Sequence, residues 1–272
     1  MNSQVAEEDG IIDVDGTAAG QNDVVIAFVD DRGNTEAYEV SVDDDQTFEE
    51  DDLSLGDLRQ GTITAHVISQ GRDNTIGDGE LPALGGNANF DGSSNPTTSD
   101  LRLFIDELEN VGTLSGNQVR DRIVSETVEA DATDDLIVNA EFRLSDGRVS
   151  IDSVYPEAAQ ADGINPVATN ETMVVEGTTN RKADDNSIVV DVLNENGNSV
   201  ATTSTEEWGS DGVYTVSIDT ADLETGTYSI EADTGDNTDR AEIEIVETRD
   251  TGEEMNETEE EDTQEEEDTE EE

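Results

Sequence analysis

Residues 186–198 have the sequence NSIVVDVLNENGN, and they repeat the pattern of residues 23–34, DVVIAFVDDRGN. In both stretches a run of apolar, largely β-branched residues is followed by a polar turn that ends in Gly-Asn. β-Branched residues favour strands, and Asn-Gly between two such runs is a strong hairpin signal. The pattern therefore predicts a strand followed by a hairpin, present twice in the chain.

The repeat extends on both sides of these stretches. Gly16-Thr17 returns as Gly177-Thr178, and residues 57–65 (DLRQGTITA) match residues 222–230 (DLETGTYSI) at a similar spacing. Each copy consists of short alternating strands joined by Gly, Asn and Asp turns, which is typical of an antiparallel β-sandwich. We therefore expect two tandem sandwiches rather than one large domain.

The second copy shows the clearer alternation. Trp208 and Tyr214 are expected to close one end of its core, and Leu223 to plug the turn before a late strand. The last strand alternates apolar Ala, Ile and Ile with mainly acidic residues, so that one face is buried. The seven strands predicted for this copy are residues 149–154, 172–178, 187–193, 199–203, 212–218, 226–233 and 240–246.

The first copy carries an insertion. Residues 85–98 are rich in Gly, Asn and Ser without periodicity and predict a loop, after which Ser99-Asp100 is expected to cap a helix. Two apolar stripes at helical spacing follow, and we expect both helices to lie against the first sandwich. The stripes are Leu101, Phe104, Ile105 and Leu108, then Val119, Ile123, Val124 and Val128.

The domain organisation follows from these patterns. The chain is predicted to be mainly β, with two tandem sandwiches and a two-helix insertion in the first. Residues after 247 are nearly all Glu, Asp and Thr, a composition that cannot form a core. The predicted segments are a disordered N-terminus (1–9), a first sandwich (10–147, helices at about 99–130), a second sandwich (148–247) and a disordered acidic stalk or tail (248–272).

Charge is the strongest compositional feature. The chain has 71 acidic and 12 basic residues, with Lys182 as its one lysine, and a formal net charge of −59. Such a surface repels itself at ordinary ionic strength, whereas in molar salt the Debye length falls to about 3 Å. We therefore expect a protein adapted to concentrated brine; disorder of the whole chain is the competing interpretation.

Several function classes are disfavoured by the composition. Without cysteine there are no disulfides, zinc-thiolate sites or thiol nucleophiles. The negative charge disfavours nucleic acid and anionic lipid and leaves cations as the natural small partners. The N-terminus lacks the pattern of a signal peptide, and no apolar run has the length of a membrane span. We expect neither a signal peptide nor a membrane anchor in this chain.

Catalytic groups are scarce. His66 is the one histidine, and the repeat aligns it with Glu231 on the polar face of a strand, which predicts a solvated surface side chain. Carboxylates are so numerous that no pair stands out for acid–base chemistry. The expectation is that the chain is not an enzyme and needs no cofactor.

Cation and glycan sites are the remaining candidates. Asp13 with Asp15, and Asp184 with Asp185, lie before predicted strands and are candidate ligands for Ca²⁺ as a structural ion. Neither pair matches the twelve-residue calcium loop, and a solvated acidic surface is the competing interpretation. Two Asn-X-Thr sites, at Asn170 and Asn256, match the pattern for N-glycosylation of a protein outside the cell.

A family resemblance spans residues 16–247. The stretches 103–108, 119–128, 134–138, 142–147 and 173–180 resemble the C-terminal part of the major cell-surface (S-layer) glycoproteins of halophilic archaea. The resemblance implies immunoglobulin-like domains, N-glycans, a two-dimensional lattice over the cell and calcium as a stabiliser. The family's secretory signal and terminal anchor are absent here, so a partial or split form is expected.

Three functions compete at this point. The leading hypothesis is a structural segment of an extracellular S-layer that self-associates into a lattice. An adhesin or ligand-binding sandwich of a halophile is the alternative, for which the loop at 85–98 is the best support. A secreted hydrolase with paired carboxylates is the third, and the scarcity of catalytic groups disfavours it.

Overall fold

A computed structural model describes residues 4–249, and the predictions for the tail beyond them lie outside the described residues. Strands dominate, and the helices are confined to one insertion. The helices are α1 (Thr98–Asp106) and α2 (Gly116–Glu126), with a short 3-10 helix at Leu108–Val111. The strands are β1 (Gln4–Ala6), β2 (Ile11–Thr17), β3 (Asp23–Asp30), β4 (Thr35–Ser41), β5 (Thr47–Ser54), β6 (Gly61–Ser69), β7 (Glu80–Leu81), β8 (Ser93–Ser94), β9 (Leu136–Ser145), β10 (Val149–Pro156), β11 (Val167–Ala168), β12 (Thr172–Thr179), β13 (Ile188–Leu193), β14 (Ser199–Thr205), β15 (Val213–Asp219), β16 (Gly226–Asp233) and β17 (Thr238–Val246).

The second copy, β10 to β17, is built from two facing sheets. One has the strand order β10-β12-β15 and the other β11-β17-β16-β13-β14. Their inner faces share one core, in which Val175, Val190 and Ile230 are fully buried. Each of the seven strands predicted for this copy overlaps an observed strand, with ends that agree within two residues. The short β11, which pairs parallel with β17, was missed because two residues give no periodicity.

The first copy, β1 to β9, repeats this topology. Its larger sheet has the order β1-β9-β6-β3-β4, again with a parallel first pair, and β2 pairs with β5 in the facing sheet. Strands β1 to β6 and β9 thus correspond in order to β11 to β16 and β17. The predicted internal repeat is confirmed by this shared order. β10 of the second copy has no counterpart among the described strands of the first.

The hairpin that opened the sequence repeat has the same construction in both copies. In the first, Asp30 accepts a hydrogen bond from the backbone N–H of Gly33 at 2.7 Å, and also from Arg32 and Asn34. In the second, Asn194 accepts from the backbone of Asn196 and Asn198 at 3.0 and 3.1 Å. A side chain that bonds to the backbone two to four residues later stabilises a tight turn.

A second shared device lies in the facing sheets. Gly16 pairs with Phe48, and Gly177 pairs with Tyr214. A Cβ atom added to either glycine would come within 2.5 Å of the aromatic side chain opposite. Because only a glycine leaves room for the ring, the repeated Gly-Thr pair marks the same packing position in both sandwiches.

The insertion between β6 and β9 covers the outer face of the larger sheet of the first copy. Phe104 and Ile105 of α1 and Ile123 of α2 are fully buried and share a core with Val25 and Ala27 of β3. The predicted packing of both helices on the first sandwich is therefore confirmed. The N-cap of α1 is Thr97 rather than the predicted Ser99-Asp100. The Asp100 carboxylate accepts a hydrogen bond from the backbone N–H of Thr97 at 2.8 Å.

The N-terminus also differs from expectation. Residues 4–6, which the sequence places in a disordered segment of residues 1–9, form β1 beside β9, and Ala6 is fully buried. Three residues are too few for a periodic signal, and their pairing partner lies far away in sequence. The loop expected at residues 85–98 includes β8, which pairs with β7.

Candidate functional site

A cleft of about 1020 Å³ lies between α2 and the outer surface of β6 and β9. His66 of β6 lies at its base and is only 2% exposed. The prediction of a solvated surface histidine is therefore wrong. The repeat alignment placed His66 on the correct face of its strand, but the inserted helices cover that face in the first copy, and no equivalent insertion covers Glu231 in the second.

One nitrogen of the imidazole is bonded and the other is not. His66 Nδ1 lies 2.6 Å from the side-chain oxygen of Asn139, its neighbour across the β6–β9 ladder. Nε2 is buried and has no hydrogen-bond partner among the described residues. Since the Asn139 oxygen accepts, Nδ1 carries the proton and Nε2 keeps a free lone pair.

Burial lowers the pKa of His66, the bond to Asn139 raises it, and the nearby charge of Arg120 lowers it further. The histidine is therefore neutral at neutral pH. Arg120 is fixed over the cleft by Thr64 and Asn117, to which its guanidinium donates at 3.3 and 2.7 Å. A nearby cation disfavours a second positive charge on the imidazole.

The walls of the cleft are polar. Amides and carboxylates line them, whereas Nε2 of His66 is buried from solvent. The group that orients His66 is the amide of Asn139 rather than a carboxylate. Catalytic use of histidine generally needs a nucleophile within hydrogen-bond reach, and His66 makes no hydrogen bond to one among the described residues.

A polar junction connects the two copies. Arg181, just after β12, donates to the carboxylate of Asp9 at 2.8 Å, and the two side chains are 9% and 4% exposed. Arg181 also contacts Asp236 at 3.0 Å and the side chain of Asn186. Near this pair, in the short link between β9 and β10, the backbone N–H of Gly147 donates to the Glu8 carboxylate at 2.6 Å. Removing one partner of the buried Arg181–Asp9 pair leaves an uncompensated charge.

Lys182 extends this junction. Its ammonium lies 2.9 Å from Asp13 and 3.9 Å from Asp185, and it also contacts Asp52. Desolvation lowers the pKa of Lys182, but the hydrogen bonds and charges of Asp52 and Asp13 raise it overall. The one lysine of the chain is thus the counter-ion of an acidic cluster between the copies.

The four predicted calcium ligands are only partly brought together. Asp13 and Asp185 meet at Lys182, whereas Asp15 and Asp184 are exposed and take no part in that contact. Within residues 4–249 no group of three or more His, Cys, Asp or Glu side chains has the geometry of a metal site. Calcium at Asp13, Asp15, Asp184 and Asp185 stays a prediction.

One of the two glycosylation candidates lies within the described residues. Asn170 is exposed in the turn before β12 and has a positive φ of 66°. The next residue, Glu171, is held by Arg249 at 2.8 Å. Asn256 lies outside the described residues. Modification of either site stays a prediction.

Sequence reasoning gave no signal for a buried carboxyl beside the insertion. Asp135 is 6% exposed; one of its oxygens accepts the backbone N–H of Gly77 at 2.7 Å, and the other has no partner among the described residues. Desolvation raises the pKa of Asp135 to about 6, against the opposing bond from Gly77. In the sequence it was one of many acidic pairs.

Most basic side chains are neutralised within the fold, which leaves the remaining surface acidic. Eight of the twelve form ion pairs: Arg72, Arg102, Arg120, Arg122, Arg181, Lys182, Arg240 and Arg249. On β5 the run of residues 49–52 is exposed and entirely acidic, while Phe48 and Leu53 at its ends are buried. The charge therefore covers a folded scaffold, as the brine-adapted interpretation requires.

Comparison with known proteins identifies relatives of this chain. A cell surface glycoprotein of Haloarcula marismortui is 45% identical over 252 residues, which is 91% of this chain and 26% of the relative. A cell surface glycoprotein of Halobacterium salinarum is 42% identical over 248 residues, 90% of this chain and 26% of the relative. The chain is a homologue of haloarchaeal cell surface glycoproteins. The resemblance expected from the sequence is confirmed.

The match to these cell surface glycoproteins is partial. The chain spans about a quarter of the length of the curated relatives it matches. No family model matches it. A solved tetra-tandem repeat from the extending region of a large adhesion protein is 16% identical and covers 88% of this chain and 46% of that one, with a TM-score of 0.30. A score that low establishes no common fold.

In residues 4–249, neither of the helices has the length and apolar character that spanning a bilayer would require.

Proposed function

We propose that this chain is a structural segment of a haloarchaeal cell-surface glycoprotein layer, outside the cell, and that it packs against copies of itself in a two-dimensional lattice. The homology to cell surface glycoproteins over about nine tenths of the chain is the observation that carries this proposal. The proposal includes no enzymatic activity, in keeping with the single histidine and its amide partner.

The physical properties of the scaffold suit that role. The acidic surface requires molar salt to suppress its repulsion. Beneath that surface each copy has a continuous apolar core. The Arg181–Asp9 pair and the Lys182 cluster tie the two copies together, which restricts their relative motion. A layer that bears lateral load benefits from such a stiff unit.

We further propose that both copies are immunoglobulin-like and that the domains divide as 10–147 and 148–247, with β1 added to the first. In the second copy the strand order matches the two sheets of an immunoglobulin sandwich when β10, β12 and β15 are taken as A, B and E. Tyr228, near the start of β16, donates its hydroxyl to the backbone oxygen of Glu224 at 2.9 Å. That bond has the form of the tyrosine corner of such folds.

Glycosylation and calcium belong to the same proposal. Asn170 is accessible in an exposed turn, so a glycan attached there would project away from the core of the second copy. Calcium would act by bridging carboxylates of neighbouring molecules in the lattice, since the acidic surface offers many oxygen ligands. The adhesin alternative keeps the same scaffold but requires a defined glycan or peptide ligand without self-association.

Sedimentation of the purified chain in about 3 M NaCl, with and without millimolar CaCl₂, tests the function. We expect concentration-dependent assemblies that calcium strengthens, together with recovery of the protein in the envelope fraction of its host. A chain that stays monomeric under all these conditions and is absent from the envelope would overturn the lattice proposal. Binding of a defined glycan by the monomer would then favour the adhesin.

A further inference from the structure

On the side away from its parallel pair, the larger sheet of each copy ends in a strand whose charge differs between the copies. This edge strand is β4 in the first copy and β14 in the second, and the repeat aligns the two position by position. β4 carries Glu36 and Glu39, whereas the aligned residues of β14 are Val200 and Thr203. Among the described strands of six or more residues, β14 is the one edge strand without a charged side chain.

The edge of the first copy is protected. Helix α1 packs against β4, and Glu39 accepts hydrogen bonds from the hydroxyls of Thr98 and Ser99 at 2.6 Å each. Glu36 accepts the backbone N–H of Asp57 at 3.2 Å. Charged side chains and a covering helix are two usual devices that keep a sheet edge from pairing with another chain.

The edge of the second copy has neither device. β14 pairs with β13 on one side, and no strand of residues 4–249 pairs with its other side. Both α-helices of the described chain belong to the first copy. Val200 is 44% exposed, and Thr202 and Ser204, on the same face, are exposed as well. A long uncharged edge that is rich in Val and Thr favours extension of the sheet by a further strand.

The acidic group closest to β14 is tied within its own copy. Asp191 lies across the β13–β14 ladder from Thr202, and its carboxylate accepts hydrogen bonds from the hydroxyls of Ser199 and Thr202. The outer face beside the edge therefore presents hydroxyl groups with a carboxylate that they already bind. Elsewhere on this chain, the approach of a second copy brings unpaired carboxylates together, which opposes contact.

Two β14 strands can pair with each other without bringing acidic side chains face to face. In an antiparallel register about a two-fold axis at Thr202, this residue faces itself in the other copy, and Val200 faces Ser204. The two glutamates that follow β14 then face Gly197 and Asn198 of the turn before it. The strand is thus complementary to itself, as a two-fold contact between identical chains requires.

We propose that β14 is a self-association edge, through which two copies of the chain pair antiparallel about a two-fold axis at Thr202 and join their larger sheets. Main-chain hydrogen bonds supply the affinity, and facing Thr, Ser and Val side chains fix the register. The inference rests on the proposed self-packing and names one of its contacts. A contact of one strand is small, so it is weak alone and gains strength when each molecule makes several contacts.

Single cysteines test the register, because the chain has none of its own. Under mild oxidation in about 3 M NaCl, Thr202→Cys should form a disulfide-linked dimer, since facing Cβ atoms lie about 5 Å apart. Val200→Cys and Ser204→Cys should give little dimer alone, because about 13 Å separates the two copies of either residue, but a mixture of the two should cross-link. Thr113→Cys, at an exposed residue of the first copy, measures random collision.

Sedimentation measures the same contact without a cross-link. Val200→Glu places a carboxylate diagonal to Glu206 of the other copy and removes an apolar contact, so it should raise the Kd of the dimer about tenfold. The sandwich tolerates a glutamate there, because the first copy carries Glu36 at the aligned position. Thr113→Glu adds the same charge away from the edge and should leave the Kd unchanged.

The outcomes separate this contact from the lattice. If the chain assembles, yet Thr202→Cys cross-links no more than Thr113→Cys and Val200→Glu leaves the assemblies unchanged, the β14 contact is wrong and the lattice uses other surfaces. If Thr202→Cys gives dimers and no larger species forms, the contact is confirmed and the lattice proposal fails. A chain that stays monomeric up to about 1 mM overturns the contact, and recovery in the envelope fraction then decides the lattice proposal separately.

Discussion

Replacing Asp30 with alanine should destabilise the first copy strongly, because this one side chain holds together two turns. The side chain is 1% exposed and accepts backbone hydrogen bonds from Arg32, Gly33 and Asn34 in its own turn. Its second oxygen accepts the backbone N–H of Arg59 at 3.0 Å, from the corner before β6. Asp30 thus joins two segments that lie apart in sequence.

The magnitude follows from the burial of these donors. The bond from Gly33 is buried, and without the carboxylate its N–H keeps only the longer contact of 3.3 Å to the backbone oxygen of Asp30. The other donors are partly buried and can rehydrate. The loss of one short buried bond to a charged acceptor, together with three partly buried ones, costs about 3 kcal/mol. For a chain of this size that lowers the Tm by roughly 6–12 °C. Asp30→Asn keeps one acceptor oxygen, so its free energy of unfolding should fall by about half as much.

The equivalent turn of the second copy gives a matched control. Asn194 makes two exposed bonds, so Asn194→Ala should cost about 1 kcal/mol or less. Urea unfolding at constant molar NaCl, followed by circular dichroism and by the fluorescence of Trp208, measures both variants. Trp208 packs on the core of the second copy and reports that copy directly. If Asp30→Ala lowers the free energy of unfolding no more than Asn194→Ala does, the proposed role of Asp30 is refuted.

Three further predictions concern titration and packing. Burial lowers the pKa of His66 below 6.5, so protonation at low pH disfavours the folded state. The free energy of unfolding of the wild type, measured with urea, should therefore fall relative to that of His66→Gln as the pH drops from about 8 to about 5. An equal change in both proteins over this range would contradict the prediction. Because the pKa of Asp135 is raised to about 6, Asp135→Asn should gain stability over the wild type at about pH 8 and show no gain near pH 4 in the same titration. Gly177→Ala places a Cβ 1.9 Å from the backbone oxygen of Ser150, and it should lower the free energy of unfolding in urea by at least about 3 kcal/mol. Gly16→Ala meets only the Phe48 ring, which can shift, and should lower it by about 1–3 kcal/mol. Equal losses would argue against a clash with the Ser150 backbone as the cause.

The sequences of β3 and β13 already indicate that the outer face of the larger sheet is covered in the first copy and half-exposed in the second. In β3 the residues from Val24 to Val29 are all apolar and all buried, whereas β13 alternates between buried and half-buried positions. Ala27 of β3 corresponds to Asp191 of β13. A continuous apolar run indicates a strand covered on both faces, and an alternating one indicates a half-exposed strand.

The burial of His66 is also indicated by its own strand partners. His66 lies directly across the ladder from Ala27, an apolar residue on the covered face. Alignment with Glu231 carried over the environment of the second copy, in which no helices pack on the equivalent strand. Ladder partners within one copy were therefore the better guide to burial than aligned residues in the other. The two helical stripes that do the covering were themselves predicted correctly.

The junction was beyond reach of the sequence for a different reason. Arg181 and Asp9 lie 172 positions apart, and neither belongs to a periodic pattern or a short motif. Among so many carboxylates, the composition gave no means to select the few that meet the rare cations. Pairings of this kind depend on how two domains dock, which local pattern does not encode.

The repeat gives the structural differences between the copies their meaning. The paired sheets, the turns that follow β3 and β13 and the glycine opposite an aromatic ring are common to both copies, so they belong to the scaffold. The helical insertion with its histidine cleft, the exposed apolar pair at Leu136 and Val138 and the cluster at Lys182 each occur at one place in the described chain. If a surface layer needs specific contacts on a uniform acidic scaffold, these departures from the repeat are where side chains of different chemistry are available to make them. The apolar pair at Leu136 and Val138 is the clearest of them, because an exposed apolar patch gains attraction in the same molar salt that screens the carboxylates around it.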